Sequence, residues 1–154
     1  MRRVTAQRRV HQKPIVYRRA VVEGSIALSE RSRRAIREGR VEKGDPLTAA
    51  ELAGMMAMRR TPELIPHCHT VPLTGSRVVA RSTRGGVRVE AEAEALWQTG
   101  VEMEALVGAT VALLTVWDMV KYMEKTRGGS YPDTRLGPVR VIAREKRPMS
   151  RGKR

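Results

Sequence analysis

The sequence predicts a single α+β domain in which helices pack on one face of an antiparallel sheet. Two observations lead to this prediction. The apolar segments follow one another in the order strand, helix, strand, strand, helix, strand, which is the order of a split βαβ unit and indicates the ferredoxin-like fold class. The length of 154 residues, of which 41% are hydrophobic, suits one domain with its own apolar core.

The first half of the chain is predicted to contribute a strand, a short helix and a longer helix. The apolar residues 20–28 predict the strand, and residues 29–38 predict the short helix, which is followed by a glycine. After a Gly-Asp-Pro turn, Thr48 and Glu51 have the spacing of a capping box, and apolar residues continue at helical spacing through residues 48–60. We therefore expect the longer helix to be capped by Thr48.

The second half is predicted to form a hairpin, a long helix and a last strand. Residues 76–82 and 86–97 flank a Gly-Gly turn, and in the second segment apolar residues alternate with arginine and glutamate. This alternation indicates a sheet with one buried and one solvated face. A helix is predicted at residues 101–123, and its stretch 105–117 carries no charge on any side. Such a helix is expected to be buried all round, in its own core or against a partner subunit. The last predicted strand is residues 139–143.

The net charge of +14 is concentrated at the two ends of the chain. Residues 1–40 contain 12 Lys and Arg against 3 Asp and Glu, and residues 140–154 contain 7 against 1, whereas residues 41–139 contain 11 against 12. Basic ends attract RNA, DNA or any phosphate-bearing ligand, because this attraction is largely independent of sequence. Only 3% of the residues are aromatic, so stacking platforms for single strands are missing. We expect no specific nucleic-acid recognition.

The composition also argues against membrane, disulfide-bonded and metal-binding classes. The stretch 105–117 is shorter than the roughly 20 residues of a bilayer-spanning helix, and the arginine-rich N-terminus has no apolar signal core, so a soluble, cytoplasmic protein is expected. The single cysteine, Cys68, cannot form an internal disulfide. His67 and His69 flank it, but the chain has only three histidines in all, so we predict no metal site.

Asp118 and Lys121 stand three residues apart and therefore share one face of the long helix. In isolation this spacing indicates a surface ion pair worth roughly a few tenths of a kcal/mol. The pair follows the uncharged stretch of the helix, however, so it is expected to emerge at the rim of a buried surface, where charged groups are desolvated and their pKa values shift. This position favours a functional role.

Glu104 lies near the opposite end of the same helix. At a rise of 1.5 Å per residue, Glu104 and Asp118 are about 21 Å apart on a straight helix, too far to contact the same reacting atoms. A pocket that uses both groups needs a second copy of the helix running the other way, at a symmetric interface between subunits. Glu102 is two residues from Glu104, so a regular helix cannot direct both at one ligand. We assign binding to Glu104; Glu102 either binds from a non-helical turn or favours the helix N-terminus electrostatically.

Polar residues that packing does not require occur in four strings, in a fixed order along the chain. They are KGD at residues 43–45, PELIPHCH at 62–69, TGVEMEAL at 99–106 and WDMVK at 117–121. In this order and at these separations, the strings resemble those of the MoaC family, the cyclic pyranopterin monophosphate synthases of molybdenum cofactor biosynthesis.

The resemblance covers residues 13–145 and leaves residues 1–12 as a basic N-terminal extension and residues 146–154 as a basic C-terminal tail. It implies a lyase that converts a cyclised dihydro-GTP, a nucleoside triphosphate-derived substrate, into cyclic pyranopterin monophosphate with release of pyrophosphate. It also implies the ferredoxin-like fold, no cofactor, and a homo-oligomer, a hexamer formed as a trimer of dimers with active sites between subunits.

The resemblance also implies roles for individual residues. Asp118 would be the catalytic acid or base, with Lys43 and Lys121 as its partners. The residues implied to contact substrate are His67, Cys68, His69, Met103 and Glu104, with Glu102 as a further candidate. The chain departs from the family pattern at three of its positions: His67 stands where Leu is usual, Thr70 where Pro is usual and Gln98 where Lys is common. The family's opening Met-Val-Asp-x-Ser segment is absent before Lys13.

The choice of lysine in the catalytic strings has a chemical reason. Arginine outnumbers lysine 24 to 6 in this chain, yet both basic residues in these strings are lysines. Arginine cannot give up its proton, whereas lysine can act as an acid or, when desolvated, as a base. Beside Asp118, Lys121 is expected to stay protonated and to serve as proton donor or phosphate ligand. We assign Asp118 as the base and Lys43 as a second acid.

A basic ferredoxin-like module that binds RNA or another polyanion is the alternative function. It predicts RNA affinity that depends steeply on salt and disappears when residues 1–12 and 146–154 are deleted. The lyase hypothesis predicts that the trimmed protein still turns over its substrate.

Overall fold

The computed structural model describes residues 5–148 and confirms the predicted α+β class. Within these residues, an antiparallel sheet has strand order β2-β3-β1-β4, and β5 also pairs with β1. The elements are β1 Val16–Ala27, α1 Glu30–Arg37, α2 Pro46–Arg59, α3 Thr61–Leu64, β2 Leu73–Ser82, β3 Gly86–Trp97, α4 Glu102–Glu124, β4 Arg135–Leu136 and β5 Arg140–Arg147.

The two faces of the sheet differ as the alternation in β3 predicts. Val22 in β1 lies opposite Ala91 in β3, and both are fully buried on the face that α4 covers. The other face carries paired charges, for example Arg19 with Glu92 at 2.6 Å. Apolar burial on the first face is the main favourable contribution to folding.

Two glycines allow α2 and α4 to cross closely over the sheet. A Cβ on Gly54 would lie 2.9 Å from the carbonyl oxygen of Gly108, and a Cβ on Gly108 would lie 2.6 Å from the side chain of Met58. Real Cβ atoms essentially never approach so closely. Gly108 therefore allows the close contact between α2 and α4 of the same chain.

The observed elements differ from the predicted ones at several boundaries. Strand β1 begins four residues before the predicted start at Ala20, because its polar first residues pair with β3 and β5. Strand β2 begins at Leu73 and includes a bulge. Strand β5 continues to Arg147, two residues into the predicted tail, since it pairs with β1 as far as Tyr17.

The predicted capping box at the start of α2 is wrong. Asp45 is the N-cap: its side chain accepts a hydrogen bond from the Leu47 N–H, and the Thr48 hydroxyl donates to it. The Glu51 carboxylate instead accepts from the backbone N–H of Ala80 in β2 at 3.0 Å. A tertiary contact between helix and sheet therefore uses the side chain that the local pattern assigned to the cap.

Helix α4 is buried by its own chain on one side only. Its inner face packs on the sheet and on α2, but Leu114, in the uncharged stretch, is 48% exposed. The helix is long and apolar enough to span a membrane by length and composition, although the buried core residues show that it packs within this fold. The helix was expected to be buried in its own core or against a partner subunit. The core of its own chain covers one face of α4, and the other face is exposed in the protomer.

Candidate active site

A cluster of three charged side chains lies at the C-terminal end of α4. The Lys43 ammonium donates hydrogen bonds to the Asp118 carboxylate and to the Asp118 backbone carbonyl, both at 2.9 Å. The Lys121 ammonium contacts the other carboxylate oxygen at 2.6 Å. The structure thus brings together the three residues predicted to be catalytic, from two segments 75 residues apart.

The loop between α1 and α2 delivers Lys43 to the helix. The Tyr122 hydroxyl accepts a hydrogen bond from the N–H of Glu42 at 3.0 Å and holds the loop against α4. Gly44 adopts a left-handed conformation with φ of 100°, which turns the chain toward α2, and Asp45 caps that helix. The three residues of the KGD string therefore have different structural roles: Lys43 contacts Asp118, Gly44 forms the turn and Asp45 caps α2.

The two lysines stabilise the ionised form of Asp118. Hydrogen bonds from Lys121 and then Lys43 lower the pKa of Asp118 to about 2. The same contact with Asp118 raises the pKa of Lys121. Asp118 is 56% exposed in the protomer, so this cluster is open to a ligand or to another chain.

A cavity of about 450 Å³ lies at the other end of α4. Short helix α3 and the turn in which the Cys68 N–H donates to the Ile65 carbonyl bring the histidine segment there. The residues that line the cavity are Ala6, Arg8, His67, Cys68, His69, Val71, Thr99, Gly100, Met103 and Glu104. Five of the six predicted substrate-contacting residues are therefore together.

Glu104 is the most unusual group in this cavity. It is only 3% exposed, and its Oε2 atom has no hydrogen-bond partner within residues 5–148. Burial, with a smaller contribution from the charge of Glu102, raises the pKa of Glu104 to about 7. Burial and the neighbouring Glu104 also raise the pKa of the Cys68 thiol. A buried carboxyl group with an unused oxygen is suited to hydrogen bonding with a ligand.

Glu102 points elsewhere. Its carboxylate forms an ion pair with Arg144 of β5 at 2.6 Å, and it is not among the described residues that line the cavity. The prediction that a regular helix directs only one of the two glutamates toward one place agrees with this geometry. A role for Glu102 in substrate binding remains a prediction.

Sequence reasoning missed Ala6 and Arg8, which belong to the predicted N-terminal extension. The side-chain amide of Gln7, between them, donates to the carbonyl oxygens of His67 at 3.3 Å and Cys68 at 2.8 Å. The basic charge of the first residues was the available signal, but it did not indicate which arginine reaches the cavity.

Within residues 5–148, no group of three or more His, Cys, Asp or Glu side chains could hold a metal ion.

The structure does not bring the two groups together within one protomer. Both flank α4, where Glu104 and Asp118 are separated by 14 positions, or about 21 Å along the helix axis. One protomer therefore cannot form a compact pocket that uses both the Glu104 cavity and the Asp118 cluster.

Comparison with known proteins gives the family of the chain. The sequence model of the MoaC family matches residues 8–146. A probable cyclic pyranopterin monophosphate synthase of Pyrococcus abyssi is 47% identical over 137 residues, covering 89% of this chain and 86% of that protein. A protein of the same description from Sulfurisphaera tokodaii is 48% identical over 133 residues, covering 86% and 88%.

A third relative carries a different description. A probable cyclic pyranopterin monophosphate synthase accessory protein of Methanothermobacter thermautotrophicus is 46% identical over 146 aligned residues, covering 89% of this chain and 86% of that protein. The family match includes Lys43, Asp118 and Lys121, every described cavity-lining residue except Ala6, and all of the sheet except Arg147. The chain belongs to the MoaC family.

Proposed function

We propose that this protein is a lyase of molybdenum cofactor biosynthesis that converts a cyclised dihydro-GTP into cyclic pyranopterin monophosphate and pyrophosphate. The observation that carries the proposal is the Asp118 carboxylate held between the Lys43 and Lys121 ammonium groups. Relatives described as probable synthases of this product, at 47 and 48% identity, support it.

The two lysines are suited to a substrate that carries a triphosphate. Forming a cyclic phosphate and releasing pyrophosphate requires a nucleophilic oxygen to bond to phosphorus while the bond from that phosphorus to pyrophosphate breaks. Protonated amines stabilise the negative charge that develops on the departing phosphate oxygens. Lys121, whose pKa is raised by Asp118, is therefore assigned as a phosphate ligand or proton donor, and Lys43 as the second cation.

Asp118 acts first by positioning these amines. With a pKa of about 2, it is a weak base as long as both lysines contact it. When the lysines turn to the substrate phosphates, the hydrogen bonds that lower the pKa of Asp118 are lost and its basicity rises. The assignment of Asp118 as the base therefore applies to the complex with substrate.

A second copy of the chain completes the pocket in this proposal. Met103, Leu114 and Lys121 lie on one stripe of α4, because 11 and 7 residues are close to three and two full turns. Met103 and Leu114 are exposed on this stripe. Two α4 helices that cross in opposite directions near Val111 bring Glu104 of each chain beside Asp118 of the other, since Val111 is midway between them.

Further contacts extend the dimer to a hexamer in this proposal. Leu52 and Met56 on α2 and Val141 and Ile142 on β5 are large apolar side chains that are 40 to 61% exposed in the protomer. They are separate from the α4 stripe and, on two different parts of the protomer, offer further apolar contact surfaces. A cytoplasmic location is part of the proposal, because the substrate derives from GTP.

The function is tested by supplying the cyclised dihydro-GTP to the purified protein and measuring the cyclic phosphate and pyrophosphate. Wild-type protein should form both in equal amounts. Lys121→Ala and Asp118→Asn should each lower turnover by about a hundredfold or more while the oligomer remains intact. Lys125→Ala removes a cation one turn further along the chain and should retain normal turnover. Wild-type rates in both site variants would exclude these residues from the mechanism.

The shared site is tested by mixing two inactive variants. Glu104→Gln and Asp118→Asn, refolded together in equal amounts, should regain about a quarter of the wild-type activity, because half the dimers are mixed and each of these has one intact site. No recovery would mean that each protomer works alone. Leu114→Arg should dissociate the α4 dimer in sedimentation, whereas Leu136→Arg on β4 is the matched control.

The alternative of an RNA or polyanion module has less support. Arginines on the open face of the sheet already contact carboxylates: Arg88 and Arg140 both pair with Glu23, and Arg77 pairs with Glu90. A polyanion would have to displace these contacts. RNA binding that survives in Lys43→Ala and Lys121→Ala, together with no turnover of the cyclised substrate, would favour the alternative.

A further inference from the structure

The N-terminal segment before β1 lies across the cavity that holds Glu104. Its anchor is Gln7, whose amide donates to the carbonyl oxygens of both His67 and Cys68. Farther along, Gln98 at the end of the hairpin donates to the carbonyl oxygen of His11 at 3.3 Å. Two side-chain amides from different parts of the chain thus fix a segment that local sequence patterns assign to no helix or strand.

Between these two anchors, Arg8 faces the cavity. Ala6 and Arg8 line it, and Arg9, the next residue and also an arginine, is not among the described lining residues. The segment therefore presents one specific cation beside His67, His69 and Glu104, rather than a diffuse basic charge. Guanidinium groups bind phosphate oxygens with two parallel hydrogen bonds, which gives geometric specificity as well as affinity.

We propose that residues 6–8 are part of the substrate site, with Gln7 as a positioning residue that fastens the segment to the histidine loop and Arg8 as a ligand to a phosphate group of the substrate. This inference rests on the proposed function, because the anionic groups of a nucleoside triphosphate-derived substrate are its phosphates. It revises the expectation that a chain lacking residues 1–12 works normally: such a chain should bind substrate poorly.

The loop contacts give Gln7 its role. The backbone carbonyls that accept its amide belong to the two residues whose side chains line the cavity, so losing the amide frees the loop and the segment together. Ordering this segment and loop at the moment of substrate binding would then reduce affinity. The effect should appear in KM more than in kcat, because the Gln7 amide bonds to backbone carbonyls of the histidine loop, whereas proton transfer is assigned to Asp118, Lys121 and Lys43.

The test is steady-state turnover of the cyclised dihydro-GTP by full-length variants. Arg8→Ala should raise KM by about tenfold, the effect expected for one charge-assisted hydrogen bond, and Arg8→Lys should recover part of the loss. Gln7→Leu, which keeps the size but removes the amide, should raise KM with kcat nearly unchanged. Arg9→Ala, which removes the same charge one residue away, should leave both constants as in the wild type.

A second readout does not depend on activity. Trypsin cleavage after Arg8, followed by mass spectrometry, should be slowed by substrate in the wild type, and Gln7→Leu should need a higher substrate concentration for the same protection. Equal KM values for Arg8→Ala, Arg9→Ala and wild type would overturn the inference and leave the proposed function standing. Absence of turnover in the wild type itself would overturn the proposed function, and this inference with it.

Discussion

Glu104 makes the stability of this protein depend on pH in a direction opposite to that of an ordinary surface carboxyl group. Its pKa is raised from 4.5 to about 7 because the side chain is buried. The folded protein therefore holds this proton more tightly than the unfolded chain. The contribution of Glu104 to the free energy of unfolding is most favourable below pH 4.5, declines as the pH rises from 4.5 to 7 and is constant above that range.

The size of this effect follows from the pKa difference. One pKa unit corresponds to about 1.4 kcal/mol, so ionising Glu104 in the folded state costs about 3 kcal/mol at pH 8. The N-terminal position on α4 favours a negative charge by roughly 0.3–1 kcal/mol and opposes only part of this cost. Burial outweighs the helix dipole at this site.

Glu104→Gln has nearly the same shape and cannot ionise, so it removes the titration. We expect the free energy of unfolding of the variant, relative to the wild type, to increase by about 2.5 kcal/mol between pH 5 and pH 8. Urea unfolding at fixed protein concentration without substrate, repeated at pH 5, 6, 7 and 8, measures this difference. The exposed Glu63→Gln controls for loss of a carboxylate and should follow the wild type. Parallel curves for wild type and Glu104→Gln would refute the burial argument.

Two further predictions concern the elements that hold α4. Gly54→Ala should destabilise the protein by about 1–3 kcal/mol in thermal or urea unfolding, because the added Cβ would lie 2.9 Å from the backbone carbonyl of Gly108. This cost outweighs the higher helix propensity of alanine. Unchanged stability would mean that α2 and α4 separate easily. Burial alone would raise the pKa of Glu124, but hydrogen bonds from Ser29 and Thr134 lower it. This group therefore stabilises the fold above pH 4.5 and loses the contribution as the pH falls, so Glu124→Gln should cost about 1–3 kcal/mol at pH 7 and less at pH 3. A constant difference across that range would contradict the assignment.

The order of elements could be predicted because it depends on periodicity. Residues 87–95 alternate strictly, and residues 105–117 are uncharged over more than three turns, so their strand and helix assignments depend on no distant contact. The start of α2 could not be predicted in the same way. Glu51 has the spacing of a cap but contacts Ala80 in another element, and only the packing of α2 on β2 determines which contact forms.

The residues of the candidate site differ in the same way: helix geometry places some of them, whereas Lys43 depends on tertiary structure. The spacing of Asp118 and Lys121 put them on one helix face, and the distance from Glu104 to Asp118 along α4 indicated two separate groups; both follow from helix geometry alone. The arrival of Lys43 at Asp118 depends on how the loop between α1 and α2 folds back, which no local pattern describes. Before the fold was known, Lys43 could be assigned to the site only through the resemblance to a family.

The sequence by itself determined the fold class, the family and the residues at each end of α4, because strand and helix periods and short strings are local properties. The tertiary structure alone decided that Glu104 is buried while Glu102 pairs with Arg144, and that Arg8 rather than Arg9 reaches the cavity. These outcomes depend on the positions of groups distant in sequence, since burial and charge pairing are set by what surrounds a side chain in space.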